Sequence, residues 1–163
     1  MARSARFPLP THDHQACLRR GLKAAERICH AKGARLTPVR RRVLELILDR
    51  HQPIGAYDLI DRLAEEGPRP APPTVYRALD FLRAVGLVHR IESRNAYVGC
   101  PDPARPHTGS LLICRTCDRV AETGDPALAR ALARNAARLG FSVERSMIEI
   151  QGVCPACQRD SRR

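Results

Sequence analysis

Two pairs of cysteines stand in the last third of the sequence, each with two residues between its members. The first pair is Cys114 and Cys117, and the second is Cys154 and Cys157. Zinc(II) favours four sulfur ligands in a tetrahedron, and two intervening residues let one tight turn present both thiolates to one ion. The sequence therefore predicts a structural zinc site. The segment between the pairs, residues 118–153, has room for a strand and a helix that the ion would hold in place.

The number of cysteines and the composition limit the classes of protein to which the chain can belong. The chain has 163 residues, 44% of them hydrophobic, and 7 cysteines, which suits one domain or two small ones. An odd number of cysteines in paired spacing favours reduced, metal-bound thiols over the disulfide framework of a secreted protein. The sequence contains no apolar run long enough to span a bilayer and no secretory signal near its start. We therefore expect a cytoplasmic protein that does not associate with membranes.

The excess of positive charge lies mostly in the first part of the chain. The formal net charge is +11, and residues 1–99 hold 18 Lys and Arg against 10 Asp and Glu. Such a balance favours a polyanionic partner through counterion release. Arginine-rich composition also arises from genome base composition or from selection for solubility. Charge alone therefore leaves nucleic acid binding undecided.

Hydrophobic periodicity predicts four helices in the first part of the chain. The first spans residues 15–31, and the second begins with Thr37 as N-cap and Pro38 at the first helical position. The third lies in GAYDLIDRLAEEG, and the fourth runs from about residue 73 to residue 85, after a proline-rich break. In the second helix the predicted buried stripe consists of Val39, Val43, Leu44, Ile47 and Leu48.

Two β-favouring segments, LVHRIES and NAYVGC, follow the helices and are separated by a polar turn at Ser93, Arg94 and Asn95. Helices followed by such a hairpin describe a winged helix. The next segment, PDPARPHTG, contains three prolines and a glycine and is typical of a hinge. Beyond it we predict a strand in SLLIC, a strand in RVAET, a helix over about residues 126–139 and a strand in FSVERSMIEI.

The fold class expected from this order is α+β, with a winged-helix domain followed by a smaller α/β domain that carries the four-cysteine zinc site. The predicted boundaries are a disordered N-terminus over 1–14, the winged helix over 15–100, a hinge over 101–109 and the second domain over 110–163. Within the predicted first helix, Cys17 and Cys29 are interpreted as thiols that pack against other side chains rather than bind a metal. His12 and His14 fall in or beside the disordered N-terminus.

The fourth predicted helix has the properties of a DNA-reading helix. Val75, Ala78, Leu79 and Leu82 can face the core, which leaves outward-facing positions near the N-terminal end, namely Thr74, Tyr76 and Arg77. A guanidinium can bond bidentately to guanine O6 and N7, so Arg77 is the best candidate for a base contact, against the alternative of a solvated surface arginine. The run Arg40–Arg42 is interpreted as a solvated helix face rather than as a set of phosphate contacts.

Several strings together closely resemble the ferric uptake regulator superfamily of metal-sensing bacterial repressors, over roughly residues 17–158. They are RLTPVRRRVLELI, GAYDLIDRL, PPTVYRALDFLRAVGLVHRIES, AYVGC, LLICRTC and IEIQGVCPAC. The resemblance implies an N-terminal winged helix, a C-terminal dimerisation domain and a homodimer that binds an inverted-repeat operator in double-stranded DNA. It also implies that Tyr57 and Arg77 contact the operator.

The resemblance extends to the zinc uptake regulator branch of this superfamily. It implies a second, regulatory metal site whose ligands are His89, Cys100, His107 and Glu122. Two imidazoles, one thiolate and one carboxylate suit zinc and form a softer set than iron(II) generally prefers. Taken singly, each residue has a structural alternative as an ordinary strand, core or loop residue. The iron-sensing pattern has histidines immediately before the first LIC, whereas this chain has Gly109, Ser110 and Leu111 there.

The function expected from the sequence is that of a zinc-responsive transcriptional repressor with two zinc ions per subunit, one structural and one regulatory. It would control genes of zinc uptake and homeostasis, with no small-molecule substrate. One alternative is a regulator of the same superfamily that senses iron, manganese or peroxide. Alternatives from other classes are a zinc-stabilised RNA or protein adaptor and a zinc-stabilised thiol oxidoreductase. Catalysis is not expected, because the first CxxC pair does not precede a helix and no hydrolase motif is present.

Overall fold

A computed structural model describes residues 7, 13–103, 110–144 and 146–160. The two long described parts form two compact units, one over residues 13–103 and the other from residue 110 onward. Within the described part of the chain, no helix combines the length and the apolar character needed to cross a bilayer.

Four helices make up most of the first unit. They are α1 (His14–Ala31), α2 (Pro38–Leu48), α3 (Ala56–Ala64) and α4 (Pro72–Ala84). The side chain of Asp13 accepts a hydrogen bond from the backbone N–H of Ala16 and so caps α1. Thr37 caps α2 in the same way, and Pro38 occupies its first turn, as the sequence predicts.

The core of the first unit is apolar and draws on all four helices. Among its fully buried side chains are Leu44 and Ile47 of α2, Leu59 of α3, and Leu79 of α4. Ala78 and Leu82 are buried as predicted, and so is Val75.

The predicted stripe of α2 is only partly correct. Val43, Leu44 and Ile47 are buried, but Val39 is 41% exposed. Leu46, which the prediction omits, is buried. Val39 and Leu46 lie about two turns apart on one face of the helix, and the rest of the fold covers only the later turn.

Three short antiparallel strands complete the first unit. They are β1 (Ile54–Gly55), β2 (Val88–Ile91) and β3 (Ala96–Gly99), in the order β1-β3-β2. A single 3₁₀ turn, Glu92–Arg94, joins β2 to β3, and Asn95 completes the turn in the left-handed region at φ 47°. The predicted hairpin is confirmed. Sequence periodicity does not reveal β1 because two residues are too few to show an alternation.

The end of the Leu48 side chain packs where two glycines make room for it. A Cβ atom built on Gly21 of α1 would lie 2.8 Å from Leu48 Cδ1, and one built on Gly99 of β3 would lie 2.5 Å from Leu48 Cδ2. Both distances are shorter than real Cβ atoms tolerate. A side chain at either position would therefore require the end of the Leu48 side chain to move.

The second unit is a small α/β structure. Its elements are β4 (Ser110–Cys114), β5 (Val120–Thr123), α5 (Pro126–Arg138), β6 (Ile148–Gly152) and α6 (Pro155–Asp160). The strand order is β5-β4-β6, with β4 antiparallel to β5 and parallel to β6. The helix α5 lies in the connection that returns the chain to β6, as parallel pairing requires.

The final strand starts later than the sequence predicts. Pairing with β4 begins where Ile148 lies opposite Ser110, so the alternating residues ahead of it lie outside the sheet. Phe141 and Val143 are accordingly 65% and 38% exposed. The sequence analysis also misses α6, because a helix of 6 residues is too short to show a periodic pattern.

Candidate metal centres and nucleic-acid interface

Two neighbouring parallel strands position the four paired cysteines. Cys114 is the last residue of β4, and Cys117 follows it in a turn. Cys154 follows β6, and Cys157 lies in α6. Because the carboxyl ends of adjacent parallel strands lie at the same edge of a sheet, the sheet topology brings together two pairs that are distant in sequence.

The four sulfur atoms form a compact cluster. All of them lie within 4.8 Å of one another, and the Sγ atoms of Cys117 and Cys154 are 3.7 Å apart. Tetrahedral zinc with sulfur ligands at about 2.3 Å requires neighbouring sulfurs to lie about 3.8 Å apart. Donor type, number and spacing therefore fit a structural zinc ion, as the sequence predicts for this set.

Backbone hydrogen bonds fix the first cysteine turn and attach it to β6. Asp118 takes the left-handed conformation at φ 58°, and its N–H donates to the carbonyl of Cys114 at 2.9 Å. The N–H of Cys114 in turn donates to the carbonyl of Arg119 at 3.0 Å. The N–H of Arg115 donates to the carbonyl of Gly152 at 2.9 Å, which continues the β4–β6 pairing into the metal-binding turn.

The cysteines of this cluster differ in acidity. Burial raises the pKa of Cys114, but backbone N–H donors, first among them that of Cys154 at 3.3 Å, outweigh it and lower this pKa to about 6. Burial raises the pKa of Cys157 to about 12, helped by hydrogen bonds that its S–H donates to the neighbouring sulfurs. Four thiolates at this separation repel one another, so they ionise together only around a cation.

Two of the predicted regulatory ligands lie together in the first unit. His89 is on β2, and Cys100 immediately follows β3, where its N–H donates to the carbonyl of Leu87 at 2.9 Å. Because His89 pairs with Val98, Cys100 is its diagonal neighbour across the two strands. Both residues are buried, and a ring nitrogen of His89 lies within 4.8 Å of Cys100 Sγ. The hairpin thus places an imidazole and a thiol within reach of one ion.

The other two predicted ligands belong to the rest of the chain. Glu122 lies on β5 of the second unit, half-buried and opposite Leu111 of β4. His107 lies outside the described residues, as does most of the predicted hinge.

The predicted DNA-contacting residues lie at the starts of α3 and α4. Tyr57 is 66% exposed and Tyr76 is 37% exposed. Arg77 is also exposed, and its Nε donates to the carbonyl of Pro73 at 3.2 Å, which holds the side chain along the first turn of α4. Thr74 is half-buried rather than fully outward-facing. The aromatic and guanidinium groups at this end of the helices have the chemistry needed for contacts with bases and phosphates.

The arginine run at the start of α2 is engaged with carboxylates. Arg41 pairs with Glu26 of α1 and, at 3.1 Å, with Glu45. Arg42 donates to Glu45 at 2.8 Å and to Glu66 at 2.7 Å. These hydrogen bonds raise the pKa of Arg42 and lower that of Glu66. Arg41 and Arg42 are therefore held in surface ion pairs, whereas the sequence analysis interprets the run as a solvated helix face.

Arg40 differs from its two neighbours in the run. Its guanidinium lies over the ring of Phe81 in α4, with the carbon 3.6 Å from the ring centroid. The sequence analysis misses this contact, because nothing in the local pattern of either residue identifies a partner so distant in sequence.

Comparison with known proteins agrees with this architecture. The model of the ferric uptake regulator family matches residues 31–151. The zinc uptake regulation protein of Escherichia coli (strain K12) is 44% identical over 137 residues, which cover 83% of this chain and 80% of that protein. The zinc uptake regulation protein of Mycobacterium tuberculosis (strain H37Rv) is 31% identical over 131 residues, covering 78% of this chain and 98% of that protein.

Solved structures give the same result. A structure of a zinc uptake regulator complexed with zinc and DNA superimposes with a TM-score of 0.84 at 41% identity, covering 90% of this chain and 98% of that one. The crystal structure of holo XcZur superimposes with a TM-score of 0.78 at 43% identity, covering 85% and 96%. With most of the sequence matched and both units represented in these relatives, the chain belongs to the ferric uptake regulator family.

Proposed function

We propose that this chain is a zinc-responsive transcriptional repressor that binds operator DNA as a zinc-loaded homodimer and controls genes of zinc uptake and homeostasis. The observation that carries the proposal is the buried pair of His89 and Cys100 in the hairpin of a winged-helix unit. It places borderline-soft metal donors next to a DNA-reading fold. The naming of similar proteins as zinc uptake regulators supports zinc as the signal.

Two zinc ions per subunit are proposed. Cys114, Cys117, Cys154 and Cys157 hold the structural ion, as their spacing supports. His89, Cys100, His107 and Glu122 are the proposed ligands of the regulatory ion. A mixed set of two nitrogens, one sulfur and one carboxylate oxygen suits zinc. Iron(II) and manganese(II) prefer ligand sets of oxygen and nitrogen without a thiolate. These metals therefore fit the set less well than zinc and are the second candidates for the signal.

Operator recognition is assigned to the exposed ends of α3 and α4. Arg77 reads a base in the major groove, and Tyr57, Thr74 and Tyr76 complete the contact surface around it. The basic first part of the chain supplies the attraction to DNA that is independent of sequence. The proposed role is therefore regulatory rather than catalytic, and the place of action is the cytoplasm, where the operator is found.

A homodimer accounts for the apolar surface of the second unit. Within the part of the chain that the structure describes, no residue of α5 is buried. Leu139 is 86% exposed and Phe141 is 65% exposed, while Ile150 of β6 is 43% exposed. A second copy of the chain would cover these groups, and the two recognition helices of the dimer would then match the two halves of an inverted repeat.

Zinc regulates DNA binding by linkage. Zinc that binds the DNA-competent conformation more tightly than other conformations raises the population of that conformation. Operator DNA must then increase zinc affinity by the same factor. A coupling free energy of about 1 to 3 kcal/mol, which is typical of allosteric proteins, changes operator affinity by about 5- to 150-fold.

The test is a titration of operator binding against buffered zinc, iron(II) and manganese(II), with bound metal counted per subunit. We expect zinc to produce tight binding at two ions per subunit. Removal of the more weakly bound zinc ion should release the operator, while the ion held by the four cysteines stays bound. Operator occupancy that does not change when the weaker ion is removed would refute the proposal, and activation by iron(II) alone would reassign the signal.

A further inference from the structure

Two cationic side chains from other elements converge on the recognition helix α4. The guanidinium of Arg40, in α2, stacks on Phe81 with its carbon 3.6 Å from the ring centroid. The ammonium of Lys32, immediately after α1, donates to the carbonyl of Val85 at 3.0 Å. One cation thus contacts the side of α4 and the other contacts its C-terminal end.

The stack on Phe81 lies one turn from the proposed base contact. Arg77 and Phe81 are four residues apart, so their side chains lie on the same side of α4, one above the other. The core residues Val75, Leu79 and Leu82 hold the opposite side of the helix. Phe81 also packs against this core, so a contact at its ring adds to the restraints on the rotation of α4 about its axis, and with it on the direction in which Arg77 points.

Arg40 is itself held in place from two directions. Besides stacking on Phe81, its NH1 donates to the carbonyl of Arg35 at 2.7 Å, in the segment that leads into α2. A planar guanidinium can stack on a ring and donate in its plane at the same time. The ammonium of a lysine cannot reproduce both contacts. Arg40 thus links the start of α2 to the side of α4.

Lys32 acts at the end of the same helix. Val85 is the C-cap of α4, where helix carbonyls lack intrahelical donors and the helix dipole favours a positive charge. Burial raises the pKa of Cys29 in α1, and the charges of Arg40 and Lys32 both oppose that rise. The two cations therefore act on the same region of the unit, where α1, α2 and α4 meet.

We propose that Arg40 and Lys32 are positioning residues for DNA reading: they fix the rotation and axial position of α4 and so determine how well Arg77 discriminates among bases. This inference rests on the proposed function. It differs from the ordinary expectation for basic residues in a DNA-binding unit, which is contact with phosphate. Arg40 is the principal residue because it is half-buried and makes two contacts, whereas Lys32 is exposed.

Charge-conserving and charge-removing variants separate the two roles. A phosphate contact needs the positive charge, so Arg40→Lys would bind operator like the wild type while Arg40→Gln would not. A positioning role needs the planar group, so both variants should lose operator affinity, by about 5- to 10-fold given the usual strength of cation–π contacts. The salt dependence of binding should stay unchanged, whereas loss of one phosphate contact reduces the slope by about 1.

The measurements use the zinc-loaded full-length protein, the operator, and operators with single base changes. We expect Arg40→Lys to reduce the affinity ratio between operator and mismatched sites. Arg41→Lys is the matched control, because it alters the adjacent residue of the run, which pairs with Glu26 and Glu45 rather than with α4. Lys32→Met should also reduce the affinity ratio between operator and mismatched sites, but by less than Arg40→Lys does. Wild-type affinity for Arg40→Lys, or a reduced salt slope with unchanged base discrimination, would overturn the inference.

Two further measurements keep the inference separate from the proposed function. In a double-mutant cycle, Phe81→Leu and Arg40→Lys should be strongly non-additive, and additive effects would contradict a shared contact. Amide hydrogen exchange needs no DNA: Arg40→Lys should speed exchange in α4, while Arg41→Lys should not. Unchanged exchange in α4 would refute positioning even if no operator bound. Failure of the wild type to bind DNA in response to zinc would refute the proposed function instead.

Discussion

At the scale of single residues, the two sets of metal donors differ in what they hold together. The sulfurs of Cys114 and Cys154 join the ends of two strands that are far apart in sequence, and a backbone N–H of one residue contacts the sulfur of the other. His89 and Cys100 lie instead within one short hairpin. This hairpin is already stabilised by its own backbone hydrogen bonds and by a packed core. Loss of a ligand should therefore have different consequences at the two sites.

We expect Cys114→Ser to unfold the second unit and to release its zinc, because a metal that closes a small domain contributes much of that domain's stability. His89→Ala should instead leave a folded dimer that needs more zinc to bind operator. Thermal unfolding, zinc counted per subunit and sedimentation distinguish the two outcomes. Equal loss of folding from both substitutions would contradict the division into structural and regulatory sites.

Arg77→Ala should weaken binding at one operator base pair by about 1 to 3 kcal/mol and relax the preference at that position. The reason is the loss of a bidentate contact that only one base pair satisfies fully. Binding to a panel of operators with single base changes measures this effect. Arg83→Ala, in the same helix and near Asp80, serves as the control and should leave the preference intact. Uniform weakening on every sequence would make Arg77 a phosphate contact.

At the scale of elements, the sequence predicts those whose signal is local. Thr37 and Pro38 mark the start of α2, and the spacing of Val75, Leu79 and Leu82 is enough to identify the buried side of α4. Elements that depend on a partner distant in sequence are harder to predict from the sequence. The start of β6 follows from its register with Ser110, and β1 exists only because it pairs with β3. The contact of Arg40 with Phe81 has the same origin.

The candidate sites follow the same rule. Spacing alone predicts that Cys114 and Cys117 can bind a metal, because a tight turn is a local structure. The proximity of His89 to Cys100 requires the hairpin register, so for these two residues the sequence offers only a resemblance. The structure then supplies the diagonal relation that brings the imidazole and the thiol together.

Gly99→Ala should destabilise the first unit by about 1 kcal/mol, the low end of overpacking costs, because the new methyl group meets the movable end of the half-buried Leu48 side chain. The new methyl group would lie 2.5 Å from Leu48 Cδ2, so either the leucine or strand β3 must move. Chemical denaturation of the full-length protein, followed by a probe in the first unit, measures the loss. The double variant Gly99→Ala, Leu48→Ala should recover part of it, because the smaller side chain removes the clash. Equal stability of Gly99→Ala and wild type would show that Leu48 adapts without cost.

At the scale of the whole molecule, the distribution of charge and apolar surface separates the two tasks of the chain. The first part carries most of the excess positive charge, and the second unit carries an apolar surface that includes Leu139 and Phe141. Attraction to DNA and association of subunits thus depend on different residues. Substitutions can therefore be directed at either set of residues separately.

Leu139→Glu should convert the homodimer to a monomer and abolish tight operator binding, because it places a charge in the apolar surface that a second copy covers. Leu139 is 86% exposed in the single chain, so the fold of the second unit should survive. Sedimentation equilibrium and circular dichroism test both expectations. Arg130→Glu lies on the opposite face of α5 and should leave the dimer intact. A dimeric Leu139→Glu variant would place the subunit interface elsewhere.

The crowding of sulfurs at the end of β4 and β6 has a consequence for handling the protein. Cys117 and Cys154 hold their Sγ atoms 3.7 Å apart, so that a small movement suffices for a covalent bond once the ion is withdrawn. Dissolved oxygen would then convert reversible demetallation into a trapped, cross-linked product. We therefore expect zinc reconstitution to require that chelation be carried out anaerobically or with a strong reductant present.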